Sequence, residues 1–139
     1  MRKSKWISIL GGAAMIASSA FASSPVLKGS ASVNTAGAYG KLGVLMSESG
    51  LAPGEVVQYQ LSADVIATYT NCTENWPDEV GTWQLMAGSK GTIRKDLTLT
   101  YPPSMCGGTL QNVVYSNITL TDETDNITLN LGTASLKHK

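Results

Sequence analysis

Residues 55–70 read EVVQYQLSADVIATYT, and apolar side chains occupy every second position of this stretch. The apolar parity comprises Val57, Tyr59, Leu61, Ala63, Val65, Ala67 and Tyr69, and the other parity is mostly polar. A period of two residues predicts a β-strand with one buried face, because a helix would distribute these side chains around its axis. A straight strand of this length would extend about 50 Å, against a usual ~20 Å, so we expect a bend, bulge or break near residues 62–64.

Shorter segments repeat this alternation at 82–86, 92–101, 110–121 and 126–131, with weaker candidates at 26–35 and 41–47. In 110–121 the pattern predicts that Leu110, Val114, Ile118 and Leu120 share one face. Clusters of Gly, Pro, Asn and Asp separate the segments, and residues 75–78 are predicted to form the turn after the long strand. About seven short strands joined by turns predict an all-β fold, namely an antiparallel β-sandwich of immunoglobulin-like architecture, with a small barrel as the alternative.

The first residues are typical of a secretory signal peptide. Arg2, Lys3 and Lys5 precede an apolar segment at 6–16, and Ala20-Phe21-Ala22 has the small-x-small pattern of a cleavage site. The apolar run is about half the ~20 residues that span a bilayer, and no later segment approaches that length. We therefore expect an exported mature chain without a membrane span. The sequence leaves open whether that chain is periplasmic, secreted or held at the cell surface.

These features divide the chain into a signal peptide (1–22), an N-terminal extension with weak first strands (23–54), a β-sandwich core (55–133) and a basic tail (134–139). The whole chain has 10 basic and 10 acidic residues, with 42% hydrophobic residues. That content suffices for one core and one domain. Loss of the basic leader would leave a mildly acidic chain, which argues against a nucleic-acid partner.

The two cysteines are Cys72 and Cys106. In an exported protein this pair predicts one disulfide, which would stabilise the fold by roughly 3–4 kcal/mol through loop closure. Cys72 follows the long strand and Cys106 lies in a Pro/Gly loop, so the disulfide would link these two segments at one end of the sandwich. A metal site at these cysteines is disfavoured, because the only histidine is His138 in the basic tail and no CxxC motif is present.

Three segments, ADVIATYTNC at 63–72, PPSMCGG at 102–108 and VVYSNITLTD at 113–122, resemble an uncharacterised group of small exported bacterial proteins. These proteins carry a threonine-rich strand that ends in a cysteine, and a second cysteine after a proline-containing loop. The similarity spans residues 57–131. It implies a single-disulfide β-sandwich and no enzymatic activity.

Known catalytic patterns are missing from the sequence, and we predict no catalytic residues and no cofactor. Nucleophilic catalysis needs a positioned base, and a histidine in a terminal tail does not supply one. Paired carboxylates of the glycosidase type are an alternative. The acidic residues for such a pair are Glu74, Asp78, Glu79 and Asp64, but the first three fit a solvated loop.

Two binding features remain. Asp122, Glu123, Asp125 and Asn126 gather oxygens in one turn, although the segment lacks the glycine and distal glutamate of an EF-hand. The plain acidic turn is the preferred interpretation, so we predict no metal and leave calcium open. Trp76, beside Pro77 in a predicted exposed loop, is the candidate ligand-binding residue, since an exposed tryptophan stacks on sugar rings; the alternative is that it caps the sandwich.

We therefore predict a non-enzymatic exported protein with a binding or structural role and an unidentified protein or glycan partner outside the cytoplasm. One alternative is a carbohydrate or cell-surface ligand module that uses Trp76. Another is a fimbrial-type or self-associating subunit, in which residues 26–46 form a mobile extension and a partner's strand completes the sheet. A small hydrolase using loop carboxylates is the third. The sequence leaves the oligomeric state open.

Overall fold

Seven antiparallel β-strands form two sheets in the computed structural model, which describes residues 24–36, 39–102, 105 and 107–137. The strands are β1 (Val26–Ala36), β2 (Tyr39–Ser49), β3 (Val56–Tyr69), β4 (Thr73–Met86), β5 (Ile93–Leu99), β6 (Leu110–Asp122) and β7 (Ile127–Lys137). These ranges contain no helix, and so none long and apolar enough to cross a membrane. The predicted all-β class is confirmed.

The two sheets pack face to face as a sandwich. One sheet has the order β1-β2-β5 and the other the order β4-β3-β6-β7. At one side β1 packs against β7, and at the other side β4 packs against β5. The inward side chains of both sheets form one core, in which Tyr59 and Tyr115 are the largest fully buried residues. Each fully buried apolar side chain contributes about 1.5–3 kcal/mol to stability.

The alternation predicted at residues 55–70 is confirmed in β3, where all seven apolar residues of the predicted parity are buried. The irregularity near residues 62–64 is also confirmed. The register shifts on both sides of this point, but the extra residues belong to the neighbouring strands. Asp64 faces Pro77 and Asp78 of β4, and Ala63 faces Asn117 and Ile118 of β6. Strand β3 is therefore continuous and bulges flank it on both sides.

The bulge in β6 changes which parity of that strand faces the core. Leu110 is buried at the start of β6, as predicted; directly before Asn117 the buried residues are Val113 and Tyr115, and after it they are Ile118 and Leu120. The prediction that Val114 shares the buried face is therefore wrong, because one extra residue inverts the alternation. Strand β7 shifts at the same level, where Gly132 has a φ of 76°.

The predicted turn at 75–78 is also wrong. The chain reverses at 70–72, where the Tyr69 amide donates a hydrogen bond to the Cys72 carbonyl at 2.8 Å, and residues 75–78 lie within β4. Pro77 is tolerated there because β4 is an edge strand and Pro77 lies in a bulge, where no ladder hydrogen bond is required. Glu74, Asp78 and Glu79 consequently lie on a strand rather than in one polar loop.

The N-terminal segment, which composition left as a possible mobile extension, forms paired strands. Strands β1 and β2 pair continuously, from the pair of Val26 with Ser49 to the pair of Ala36 with Tyr39. On its other side β2 pairs with β5. Residues 26–36 and 39–46 therefore belong to the sandwich. The predicted signal peptide and His138 lie outside the described residues, so the signal peptide and the division of the chain stay predictions.

Candidate functional site

Three carboxyl groups from two distant parts of the chain meet at one end of the sandwich. Glu48 lies near the end of β2, Asp122 ends β6, and Asp125 lies in the turn before β7. One carboxylate oxygen from each lies within 4.8 Å of the others. Glu48 is 1% exposed and Asp122 is 0% exposed, whereas Asp125 is half-buried. We refer to Glu48, Asp122 and Asp125 as the acidic cluster.

The alternation of each strand carries these carboxyl groups inward. Glu48 takes the last inward position of β2, after Val44 and Met46, and Asp122 takes the last inward position of β6, after Leu120. Each therefore occupies a position that the pattern otherwise reserves for apolar side chains. Glu48 was not among the predicted site residues, although its carboxylate on the apolar parity of β2 is the sequence signal that marks it.

Two hydrogen bonds hold the carboxyl groups of the cluster in place. The Tyr59 hydroxyl donates to Glu48 Oε1 at 2.5 Å, and the Asp125 amide donates to Asp122 Oδ1 at 2.9 Å. The second oxygens, Glu48 Oε2 and Asp122 Oδ2, are buried without a hydrogen-bond donor. These two oxygens are exceptional, because buried polar atoms are normally satisfied.

The burial of the cluster changes its acid–base behaviour. Burial raises the pKa of Glu48 above its ordinary value, and the neighbouring Asp122 and the hydrogen bond from Tyr59 partly oppose that rise. Burial, followed by the neighbouring Glu48 carboxyl group, raises the pKa of Asp122 to about 6. The pKa of Tyr59 also rises, mainly through burial. Because the carboxyl groups of Glu48 and Asp122 lie close together, the pair can hold either a proton or a cation between its oxygens.

The predicted acidic turn contributes only part of this cluster. Asp122 and Asp125 belong to it, whereas Glu123 and Asn126 are exposed. The Glu123 amide instead donates to the Gln58 carbonyl at 2.8 Å, which ties the turn to β3. The oxygens that meet therefore come from both sheets rather than from one loop.

The other candidate acidic residues, Asp64, Glu74, Asp78 and Glu79, lie on β3 and β4. Asp64 lies on the outward parity of β3, and its carboxylate accepts hydrogen bonds from Asn117 Nδ2 at 2.8 Å and from the Asp78 amide at 2.9 Å. The bond from Asn117, and then that from Asp78, lowers the pKa of Asp64. Glu74 and Glu79 lie on the inward parity of β4, on opposite sides of its bulge.

Trp76 lies in β4 and packs half-buried against the core, so its predicted placement in an exposed loop is wrong. The pairing of Trp76 with the buried Val65 places it on the inward side of the sheet. Its Nε1 atom is buried without a hydrogen-bond acceptor. Trp83 packs against the core as well. The ligand-binding role of Trp76 stays a prediction.

At the end of the sandwich opposite the acidic cluster, the turn that contains Cys72 meets the loop before β6. The Thr70 amide donates to the Thr109 carbonyl at 2.9 Å, and the Met105 amide donates to Glu74 Oε2 at 3.0 Å. Cys106 lies outside the described residues, so the disulfide stays a prediction. The contacts on both sides of position 106 support the predicted location of that bridge.

The outward side of the four-stranded sheet forms a surface that we call the neutral face. Its side chains include Gln58, Gln60, Ser62, Thr82, Gln84, Asn112, Thr119, Thr121, Thr128 and Asn130. Exposed aliphatic side chains, among them Val56, Ile66, Val80 and Met86, lie between and beside them. The charged residues that the structure describes on this face are Asp64 and Asp78, which lie beside the bulges. By contrast, the outward side of the other sheet carries Lys28, Lys41, Arg94 and Asp96.

Comparisons with protein-family models and with curated proteins found no match. Among solved structures, the solution structure of R. palustris CsgH is similar to this chain, with a TM-score of 0.34 and 12% sequence identity. The similarity covers 81% of this chain and 92% of that chain. An identity and a score this low support no conclusion about function. The resemblance to the group of small exported proteins therefore stays a prediction.

Proposed function

We propose that this chain is a non-enzymatic β-sandwich protein with a binding or structural role outside the cytoplasm. The observation that carries the proposal is the neutral face. Its polar side chains are amides and hydroxyls, which both donate and accept hydrogen bonds without the desolvation penalty of a charge. The centres of protein interfaces are likewise depleted of charged residues.

The difference between the two sheets supports this assignment. Lys28 and Lys41 give the three-stranded sheet the charged outward side that is typical of a solvated surface. The neutral face instead combines uncharged polar residues with aliphatic ones that are 42–67% exposed, among them Ile66 and Met86. A partner would therefore dock on the neutral face at a lower desolvation cost than on the other sheet.

The placement of the acidic residues supports a non-enzymatic role. Glu48 and Asp122 are buried in the sandwich, where a substrate does not reach them. Asp64 is occupied by hydrogen bonds to two neighbouring strands. The predicted leader and cysteine pair support action outside the cytoplasm.

Two more specific functions rest on particular features. A glycan-binding role would use the accessible part of Trp76, which is half-buried on the edge strand β4. A self-associating role would use the edge strand β7, because residues 127–136 carry no charge and charged side chains are the usual protection of an edge.

The proposal is tested by charging the neutral face. Gln60 and Thr82 are paired across β3 and β4, and the double variant Gln60→Lys/Thr82→Lys places two charges at its centre. The matched control is Ser30→Lys/Thr98→Lys on the outward side of the other sheet. Sedimentation at rising protein concentration and a glycan array would both be recorded.

We expect wild-type protein to self-associate or to bind glycans, the neutral-face variant to lose that binding, and the control to keep it at an unchanged melting temperature. A wild-type chain that stays monomeric and binds no glycan would contradict the use of this face for these partners. Binding that survives in the Gln60→Lys/Thr82→Lys variant would contradict it as well.

A further inference from the structure

The two unsatisfied oxygens of the acidic cluster point to a ligand. The Glu48 side chain is only 1% exposed, yet its Oε2 has no hydrogen-bond donor. The same holds for Oδ2 of the fully buried Asp122. Carboxyl groups withdrawn from water need a compensating positive partner. The charges of Asp125 and Glu55 are also negative and raise the pKa of Glu48. Among the described residues, the charged groups that act on Glu48 therefore supply no positive charge, so a proton or a cation must compensate the buried carboxylates.

The spacing of the oxygens fits a single cation. One oxygen of each carboxylate lies within 4.8 Å of the other two, which is about twice the ~2.4 Å distance between Ca²⁺ and a coordinating oxygen. Two oxygens that bind the same Ca²⁺ ion lie at most about 4.8 Å apart, so the spacing of the cluster meets this upper limit. Mg²⁺ binds oxygens at about 2.1 Å in strict octahedral geometry, so the same spacing suits it less well.

We propose that the acidic cluster binds one Ca²⁺ ion through Glu48 Oε2, Asp122 Oδ2 and a carboxylate oxygen of Asp125. The half-buried Asp125 leaves the cluster open on one side, where the ion enters and where water completes the six to eight ligands that Ca²⁺ takes. Because Glu48 belongs to β2 and Asp122 to β6, the ion joins the two sheets.

Neighbouring groups hold the ligands in position. The Tyr59 hydroxyl occupies Glu48 Oε1 and the Asp125 amide occupies Asp122 Oδ1, so each carboxylate turns its second oxygen towards the ion. Such hydrogen bonds to ligands orient them and reduce the entropy lost on binding. Tyr59 pairs with Asp122 at one end of the sheet and Tyr69 with Leu110 at the other. The ion and the predicted disulfide would therefore secure opposite ends of the sandwich.

The test is a titration of CaCl₂ into chelator-stripped protein, followed by calorimetry and by the melting temperature. We expect one ion per chain and a melting temperature that rises by roughly 10 °C when the ion is at about 100 times its Kd. MgCl₂ at the same concentrations should give a smaller rise. No heat and no shift up to about 10 mM Ca²⁺, above the range of weak extracellular sites, would overturn the proposal.

The variant Asp122→Asn separates loss of the ion from loss of the fold. Its side-chain oxygen can still accept the Asp125 amide, and its NH₂ group can donate to Glu48 Oε2, so the variant folds without the ion. We expect it to lose Ca²⁺ binding and the rise in melting temperature. Glu123→Gln, in the same turn but outside the cluster, should behave as wild type. A calcium response that persists in Asp122→Asn, or one equalled by Mg²⁺, would overturn the assignment.

Discussion

The Asp64 carboxylate accepts a hydrogen bond from the Asn117 side-chain amide at 2.8 Å, which links β3 to the bulge of β6. Its other oxygen accepts the amide of Asp78 in the bulge of β4 at 2.9 Å. Asn117 and Asp78 have positive φ angles of 51° and 56°, a conformation that Asn and Asp tolerate better than other non-glycine residues. One carboxylate thus connects the bulges on both sides of the longest central strand.

The replacement Asp64→Asn is expected to lower the free energy of unfolding, because the amide offers only one acceptor atom for two donors. The effect depends on pH. Since hydrogen bonding lowers the folded-state pKa of Asp64 below its ordinary 3.8, the ionised carboxylate stabilises the fold above that value. This stabilisation is lost as the pH falls through the folded-state pKa.

Urea unfolding from pH 7 down to pH 2 would measure this dependence. The difference between wild type and Asp64→Asn should be largest at neutral pH and should close at the acidic end. The matched control is Asp96→Asn, on the exposed outward side of β5. A difference that is the same at every pH would show that the charge of Asp64 has no part in the effect.

Gly40 is a buried residue near the start of β2, and a Cβ atom there would collide with the buried side chain of Val113. Its carbonyl also accepts the Tyr115 hydroxyl at 2.7 Å, so the backbone has little freedom to move away. We expect Gly40→Ala to destabilise the protein by about 1–3 kcal/mol, the usual cost of overpacking. Chemical denaturation would measure it.

The matched control for that change is Gly43→Ala in the same strand, where the nearest atoms to a new Cβ lie at 3.9 Å. It should change stability by less than about 0.5 kcal/mol. The double variant Gly40→Ala/Val113→Ala should lose less free energy of unfolding than the sum of the two single losses, because the colliding methyl group of Val113 is gone. Additive losses would contradict a steric cause.

The sequence predicted the sandwich because the alternation is a local property of each strand. The break near residues 62–64 was also predictable, since the apolar run exceeds the usual length of a strand. The placement of Pro77 within a strand was not predictable, because proline, aspartate and asparagine mark both turns and edge-strand bulges. Which of the two forms depends on where β4 lies in its sheet, and that is decided by pairing with β3.

The acidic cluster was predictable only in part for a similar reason. A carboxylate on the apolar parity of β2 or β6 is visible in the sequence as an exception to the pattern. That Glu48 meets Asp122 depends on how the two sheets pack, and no segment of the sequence encodes this alone.

The predicted disulfide between Cys72 and Cys106 can be tested by intact mass and by stability. Reduction should add two hydrogens to the mass and lower the free energy of unfolding by roughly 3–4 kcal/mol, because the unfolded chain regains the entropy of the open loop. The variant Cys72→Ser should match the reduced wild type. An unchanged mass on reduction would contradict the bridge, and a Cys72→Ser variant as stable as oxidised wild type would contradict its role.

The contact between Tyr59 and Glu48 should be one of the stronger pair interactions in the core. Tyr59→Phe leaves Glu48 Oε1 buried without its donor, which should cost about 1–3 kcal/mol in metal-free protein. Glu48→Met removes the carboxylate, so the hydroxyl of Tyr59 then loses its acceptor instead. In the double variant neither group is left unsatisfied, and its loss should be smaller than the sum of the two single losses. Unfolding by urea in the presence of a chelator would give the coupling energy, and additivity within about 0.5 kcal/mol would show that the hydrogen bond does not stabilise the fold.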